Sequence, residues 1–164
     1  MVIAITGLPG SGKSWFAKKL SEKLNATYFN SDQVRNNAFS KKDYSPQGKI
    51  QVYKKMYNLA QEALKTNNTV VLDATFHKQS TRDSLKAHFP EVEIKWIKVV
   101  ANETLIIDRL SKKRQDSDAD YNVYQQIKNE EEDLREEHLT LESTNENINQ
   151  MIALALKHLD YEQA

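Results

Sequence analysis

Gly7-Leu8-Pro9-Gly10-Ser11-Gly12-Lys13-Ser14 is the stretch on which the architecture of this chain turns. It fits G-x-x-x-x-G-K-[ST], and its flanks supply the context the pattern needs. Before it, Val2-Ile3-Ala4-Ile5 is a short apolar run of strand type; after it, Phe16, Ala17, Leu20 and Leu24 recur at helical spacing. In a strand, loop, helix unit of this kind, glycines let backbone N–H groups converge on phosphate oxygens, and the helix N-terminus adds partial positive charge. All eight residues are therefore expected to bind the cofactor. Lys13 places a full charge between the β and γ phosphates, and the Ser14 hydroxyl can ligand Mg²⁺. ATP with Mg²⁺ is the expected cofactor pair.

Beyond the loop, strand-like and helix-like segments alternate to the end. Thr27-Tyr28-Phe29 is a second short strand, after which Ser31 or Asp32 can cap a helical turn. A helix between 48 and 66 places Tyr53, Met56, Tyr57, Ala60 and Leu64 on one face, and Asn67-Asn68 breaks it. Strands at 69–72 and 94–100 are continuously apolar rather than alternating, which suits parallel strands covered on both faces. A helix opened by Asn102, a polar stretch at 111–120, a charged helix over about 121–137, a strand at 138–141 and a helix at 147–159 follow. This pattern predicts one domain over 1–164 with the three-layer α/β P-loop NTPase fold. It has about five parallel strands, helices on both faces and a small lid at about 109–120. Ligands of such sheets lie at the carboxyl ends of the strands.

Those strand ends hold the remaining candidates. Asp32 and Arg35, three apart, project from one face of a helical turn. A phosphotransferase needs a carboxylate to take the proton of an attacking hydroxyl, and a cation to hold charge on the acceptor. Both are assigned to catalysis and substrate binding, against the alternative of a capping Asp paired with its neighbour. Asp73 brings one acid to the end of an apolar strand, where it can hold a Mg²⁺-bound water, with Thr75 beside the substrate; capping a helix near Lys78 is its alternative. Arg82 is a further, weaker candidate for substrate contact. Arg109 and Arg114 flank the polar stretch, Arg109 towards the nucleotide and Arg114 as the lid arginine facing the transferring phosphoryl group. His77, His88, His138 and His158 lack metal-ligand spacing and are assigned to the surface or to ordinary core hydrogen bonds.

Composition narrows the classes. Among 164 residues there is no cysteine, which removes disulfides, thiolate zinc sites and cysteine nucleophiles. Lys plus Arg and Asp plus Glu are both 23, so no overall field draws the molecule onto nucleic acid or a membrane. Charge is nevertheless segregated. Residues 35–55 hold six cations against Asp43, and 116–142 hold ten acids against Lys128 and Arg135. The first is either a solvated face or a local anion site. No apolar run approaches a membrane span and no leader is evident, so a cytoplasmic protein without membrane attachment is expected. A GTPase base-reading tetrad is absent, as is a paired Asp-Glu after a strand of the kind that polarises water, which favours a kinase.

The loop at 7–14, Ser31-Asp32-x-x-Arg35, Val70-Val71-Leu72-Asp73-Ala74-Thr75 and Arg109-Leu110-x-x-x-Arg114 with Ser117-Asp118-Ala119-Asp120 together resemble the P-loop kinases grouped with the kinase domain of bacteriophage polynucleotide kinase. The resemblance spans most of the chain. It implies a five-stranded parallel sheet, ATP with Mg²⁺, Asp32 as general base, Arg35 on an acceptor phosphate and Arg114 as lid arginine. Trp15 departs from the small hydroxyl residue that many relatives carry there. The expected acceptor is the 5′-hydroxyl end of a polynucleotide, held through its next phosphate by Arg35 and the lysines after it. The alternatives are a small-molecule kinase acting on a sugar, nucleoside or antibiotic, and a regulatory nucleotide-binding ATPase. A shallow basic groove favours the polymer and a closed polar pocket the metabolite.

Overall fold

A computed structural model describes residues 1–112 and 119–161. Five strands, β1 (Val2–Thr6), β2 (Thr27–Asn30), β3 (Val70–Asp73), β4 (Ile94–Val100) and β5 (His138–Glu142), form one parallel sheet in the order β2-β3-β1-β4-β5. Seven helices connect and follow them among the described residues: α1 (Lys13–Leu24), α2 (Ser31–Ala38), α3 (Pro46–Ala63), α4 (Gln79–His88), α5 (Glu103–Ser111), α6 (Tyr121–Glu130) and α7 (Ile148–His158). This is the expected P-loop NTPase-like fold, with helices on both faces.

Strand alternation divides the core. Val2 and Ala4 of β1 face Val52, Met56, Tyr57 and Leu85 from α3 and α4, whereas Ile3 and Ile5 face Phe16, Leu20, Met151 and Ala155 from α1 and α7. Burial on both faces explains why these strands read as continuous apolar runs. Among the described residues, no helix is long and apolar enough to cross a membrane.

Register aligns the strand ends that matter. Ile5 lies opposite Asp73, and Asp73 opposite Asn30, so the carboxyl ends of β1, β3 and β2 finish level beside the loop at 7–12.

Two local expectations need correction, and the alternative reading of Asp73 falls away. The cap of α2 is Asn30, whose Oδ1 accepts the N–H groups of Asp32 (2.9 Å) and Gln33 (3.1 Å), rather than Ser31 or Asp32. Lys78 precedes α4 without a side-chain cap, so Asp73 does not cap it either. The helix expected to run to 137 ends at Glu130, where acids accumulate at the negative end of the helix dipole. The following segment is held in non-helical form: Glu132 N–H donates to the His77 carbonyl (2.8 Å), and Lys98 pairs with Glu131 (2.9 Å). Of the expected lid at about 109–120, residues 113–118 lie outside the described residues, and with them Arg114, Ser117 and Asp118.

Candidate active site

Gly12 precedes α1 with φ 89, and Gly10 has φ 80; both occupy the left-handed region that glycine enters without steric cost. No side chain caps α1, and its first turn contains no acid. The opening N–H groups of α1 are thus left for an anion from outside the chain, the property that a triphosphate requires.

Arg109 braces this loop from α5. Its Nη1 donates to the Gly10 carbonyl (3.1 Å) and to Ser143 Oγ (3.0 Å), and its Nη2 to Asn145 Oδ1 (3.3 Å). Ser143 Oγ in turn donates to the Ser11 carbonyl. Arg109, Asn145, Ile148 and the 60% exposed Trp15 line a cavity of about 430 Å³ beside Gly12 and Lys13. It presents an apolar wall and polar groups beside the phosphate loop. Ser143, Asn145 and this use of Trp15 were missed by sequence reasoning, because the segment after β5 carries no motif.

Across the loop, a second cavity of about 460 Å³ takes Pro9, Lys13 and Ser14 as its floor. One wall comes from the β2–α2 junction with Asn30, Asp32 and Arg35; a second from Tyr44, Lys49 and Tyr53; a third from Thr75 and His77 after β3; and a fourth from Val123, Gln126 and Ile127 of α6. Lys13, Asp32, Arg35 and Thr75 are thus brought together as expected. Because Asn30 caps α2, the Asp32 carboxylate has no capping duty. Its Oδ1 accepts from Arg35 Nη1 at 2.9 Å, and the carboxylate remains 39% exposed while Arg35 is 7% exposed. Burial raises the Asp32 pKa above the ordinary carboxylate value, and Asp73 adds to this, against the opposing charges of Lys13 and Arg35.

Asp73 is fully buried. Its Oδ2 accepts from Tyr28 Oη (2.7 Å) and Asn30 Nδ2 (2.6 Å), while its Oδ1 has no partner. Asn30 Nδ2 also reaches Ser14 Oγ at 3.4 Å. A buried carboxylate oxygen without a donor, tied through Asn30 to the loop hydroxyl, fits a hydrated Mg²⁺, which needs few protein oxygens and keeps several waters. Ser14 and Asp73 are therefore the residues that would hold the metal. Asn30 was missed as a site residue; its signal is its place in register opposite Asp73, which no local pattern shows.

His77 departs from its assignment to surface or core. It lines the cavity, with Nδ1 3.1 Å from Thr75 Oγ1 and Nε2 3.6 Å from Glu130 Oε2. Burial lowers its pKa below the usual value, and the charge of Lys49 adds to this despite Glu130.

Arg82, a candidate substrate contact in the sequence, is turned away from the cavity and does not line it. It is 1% exposed; Nη1 donates to the Phe76 carbonyl (2.8 Å), Nη2 to the Asp133 carbonyl (2.7 Å) and to Gln79 Oε1 (2.9 Å). Its Nε lies 3.4 Å from Glu136 Oε2, a charge contact without hydrogen-bond alignment. The reason lies at Phe76, whose φ of 45 is left-handed and rarely adopted by a residue with a side chain. Arg82 from one side, and Tyr53 Oη accepting the Phe76 N–H (3.3 Å) from the other, hold the turn that carries Thr75 and His77 into the cavity wall.

Residues 2–155 match the family described as AAA domain. The chain belongs to that family. No curated protein matches it. Among solved structures, this AAA domain is similar to a sugar kinase from Janibacter sp. HTCC2649 (TM-score 0.78, 16% identity, covering 98% of this chain and 94% of that one). It is also similar to a gluconokinase from Sinorhizobium meliloti 1021 (TM-score 0.73, 16% identity, 97% and 91%). A third likeness is to the Mycobacterium tuberculosis APS kinase CysC in complex with AMPPNP and APS (TM-score 0.72, 16% identity, 97% and 96%). At such identity these likenesses speak for the fold alone. The likeness to phage polynucleotide kinase is not among what they support, and neither is a polynucleotide acceptor.

Proposed function

We propose that this AAA domain is a kinase that transfers the γ-phosphoryl group of ATP to a hydroxyl of a small molecule. The observation that carries this reading is the Asp32 carboxylate, relieved of capping by Asn30 and set in a walled cavity whose floor is Lys13 and Ser14. Walls on four sides suit a metabolite better than a polymer end. Of the six cations between 35 and 55, Arg35 and Lys49 line the cavity, while Lys41, Lys42, Lys54 and Lys55 are exposed on the surface. The sugar kinase, gluconokinase and APS kinase neighbours are consistent with the same choice.

In this reading, the N–H groups of the loop and the Lys13 ammonium hold the β and γ phosphates, while Arg109 keeps the loop in place. Ser14 and Asp73 would hold Mg²⁺, which when bound would neutralise charge on the phosphate oxygens. Arg35 fixes the Asp32 carboxylate towards the acceptor. As the acceptor oxygen bonds to the γ phosphorus, its proton passes to Asp32 and the bond from that phosphorus to the β,γ-bridging oxygen breaks, releasing ADP. A carboxylate with a raised pKa is a better proton acceptor for this step. Arg114, the expected lid arginine, would add positive charge at the transferring group.

Labelled γ-phosphate offered with sugars, sugar acids, nucleosides and 5′-hydroxyl DNA and RNA tests the proposal. Label is expected in a small alcohol. Label in oligonucleotides alone would restore the polymer reading, and release of inorganic phosphate with no labelled acceptor would point to a regulatory ATPase.

A further inference from the structure

The acceptor cavity holds more positive charge than the triphosphate accounts for. Its lining contains three permanent cations, Lys13, Arg35 and Lys49, and one carboxylate, Asp32. Lys13 belongs to the phosphates of ATP, and Arg35 is paired with Asp32, although its Nε is buried without a partner. The Lys49 N–H donates to the Ser45 carbonyl at 2.9 Å, but its ammonium makes no ion pair or hydrogen bond among the described residues. It is half-buried in the first turn of α3, a turn that contains no acid. The nearby Asp43 carboxylate instead accepts the Ser45 N–H at 2.8 Å.

A cation in that position is locally unfavourable, because the positive end of the helix dipole opposes it. Partial burial without a counter-ion opposes it further. The ammonium also acts across the cavity, where its charge holds down the pKa of His77. An uncompensated half-buried cation in a cavity wall is the arrangement expected where the missing anion arrives with a ligand.

Resting on the kinase reading of the same site, we propose that the acceptor is a small alcohol bearing an anionic group, carboxylate or phosphate, which Lys49 holds with Arg35 while its hydroxyl faces Asp32. Neutral polyols are then poor ligands. His77 and Thr75, hydrogen-bonded to each other, face the polar body of the acceptor between these two ends.

The test is calorimetric titration of the full chain saturated with AMPPNP and Mg²⁺, which fills the phosphate loop. Matched pairs serve as probes: gluconate against sorbitol for the carboxylate, and glycerol 3-phosphate against glycerol for the phosphate. In at least one pair the anionic member should bind about tenfold or more tightly than its neutral partner, the scale of one charge-assisted hydrogen bond. Lys49→Gln should abolish that preference, and Lys49→Arg should retain most of it. Equal binding within both pairs, or a preference that survives Lys49→Gln, overturns the inference. Phosphoryl transfer is assayed separately on the same ligands. Transfer to neutral alcohols without an anion preference refutes the anion site and leaves the kinase reading standing. An anion preference lost in Lys49→Gln, with no transfer to any ligand, sustains the site and counts against the kinase.

Discussion

Replacing Arg82 by Met keeps an apolar side chain of similar length and removes the guanidinium. The structure sets the cost. Three backbone carbonyls lose a charged donor in a region where Arg82 is 1% exposed, those of Phe76 at 2.8 Å, Asp133 at 2.7 Å and Glu132 at a longer 3.4 Å, and the first two carry most of the cost. A buried polar group left without a partner costs about 1–3 kcal/mol, so the two carbonyls together represent about 2–6 kcal/mol. Glu136 loses its contact at 3.4 Å but keeps Lys86 (2.9 Å) and Gln79 (2.9 Å), so its charge is not stranded. The full penalty for breaking a buried pair, about 3–5 kcal/mol, is therefore an upper bracket for that contact rather than an addition to the carbonyls. The expected destabilisation is about 3–5 kcal/mol, or roughly 6–20 °C in Tm for a domain of this size. Urea unfolding monitored by tryptophan fluorescence reads it, with Trp96 packed edge-on against Phe76 at 5.4 Å as a local reporter. Nucleotide affinity, measured well below the midpoint, should move by less than about twofold, since the hydrogen bonds and ion pair of Arg82 go to Phe76, Gln79, Glu132, Asp133 and Glu136 and none to the loop at 7–14. A stability loss under about 1 kcal/mol, with acceptor turnover abolished, would refute this reasoning and return Arg82 to the substrate.

Four further outcomes follow from the site. Asp32→Asn should lower phosphoryl transfer by about 10²–10⁴-fold while the Kd for ATP is nearly unchanged, and near-normal turnover in labelled transfer would remove Asp32 as the base. Because burial raises the Asp32 pKa against the pull of Lys13 and Arg35, kcat/KM should be full where the carboxylate is ionised. It should fall on acidification at a pH above that of an ordinary aspartate; a pH–rate profile that stays flat through that range contradicts this. Asp73→Asn should shift the Mg²⁺ dependence of transfer to about 10–100-fold higher concentration, the usual effect of altering a group that orients a metal's ligands, and an unchanged Mg²⁺ titration would count against the assignment. Arg109→Ala releases Gly10, Ser143 and Asn145 together, so nucleotide affinity should drop by about tenfold or more, whereas an unaltered Kd in fluorescence titration would show that the loop holds its shape unaided.

Much of the fold was legible because its signals are local. The loop at 7–14 needs glycines and a lysine in sequence, and parallel strands covered on both faces must be apolar along their length, so Val70-Val71-Leu72 and its companions stood out. Asp32, Arg35 and Asp73 were visible as polar residues at strand ends, where ligands of such sheets bind. The misplaced end of α6 has a different origin. Periodicity continued past Glu130, but the backbone there bonds to His77 and Arg82, partners some fifty residues away. Arg82 misled for the same reason: a buried arginine that serves carbonyls has the same one-letter signature as one that meets substrate.

The order of residues along the chain was enough to establish the phosphate loop, the parallel sheet and the acids at its edge, since each depends on neighbours within a few positions. The folded arrangement was needed to show that Asn30 relieves Asp32 of capping and joins Asp73 to Ser14, that Lys49 reaches a cavity wall unpaired, and that Arg82 turns inward. Those facts arise from register between strands and from packing across the sheet, where the groups that meet are separated in sequence by distances no periodic pattern records.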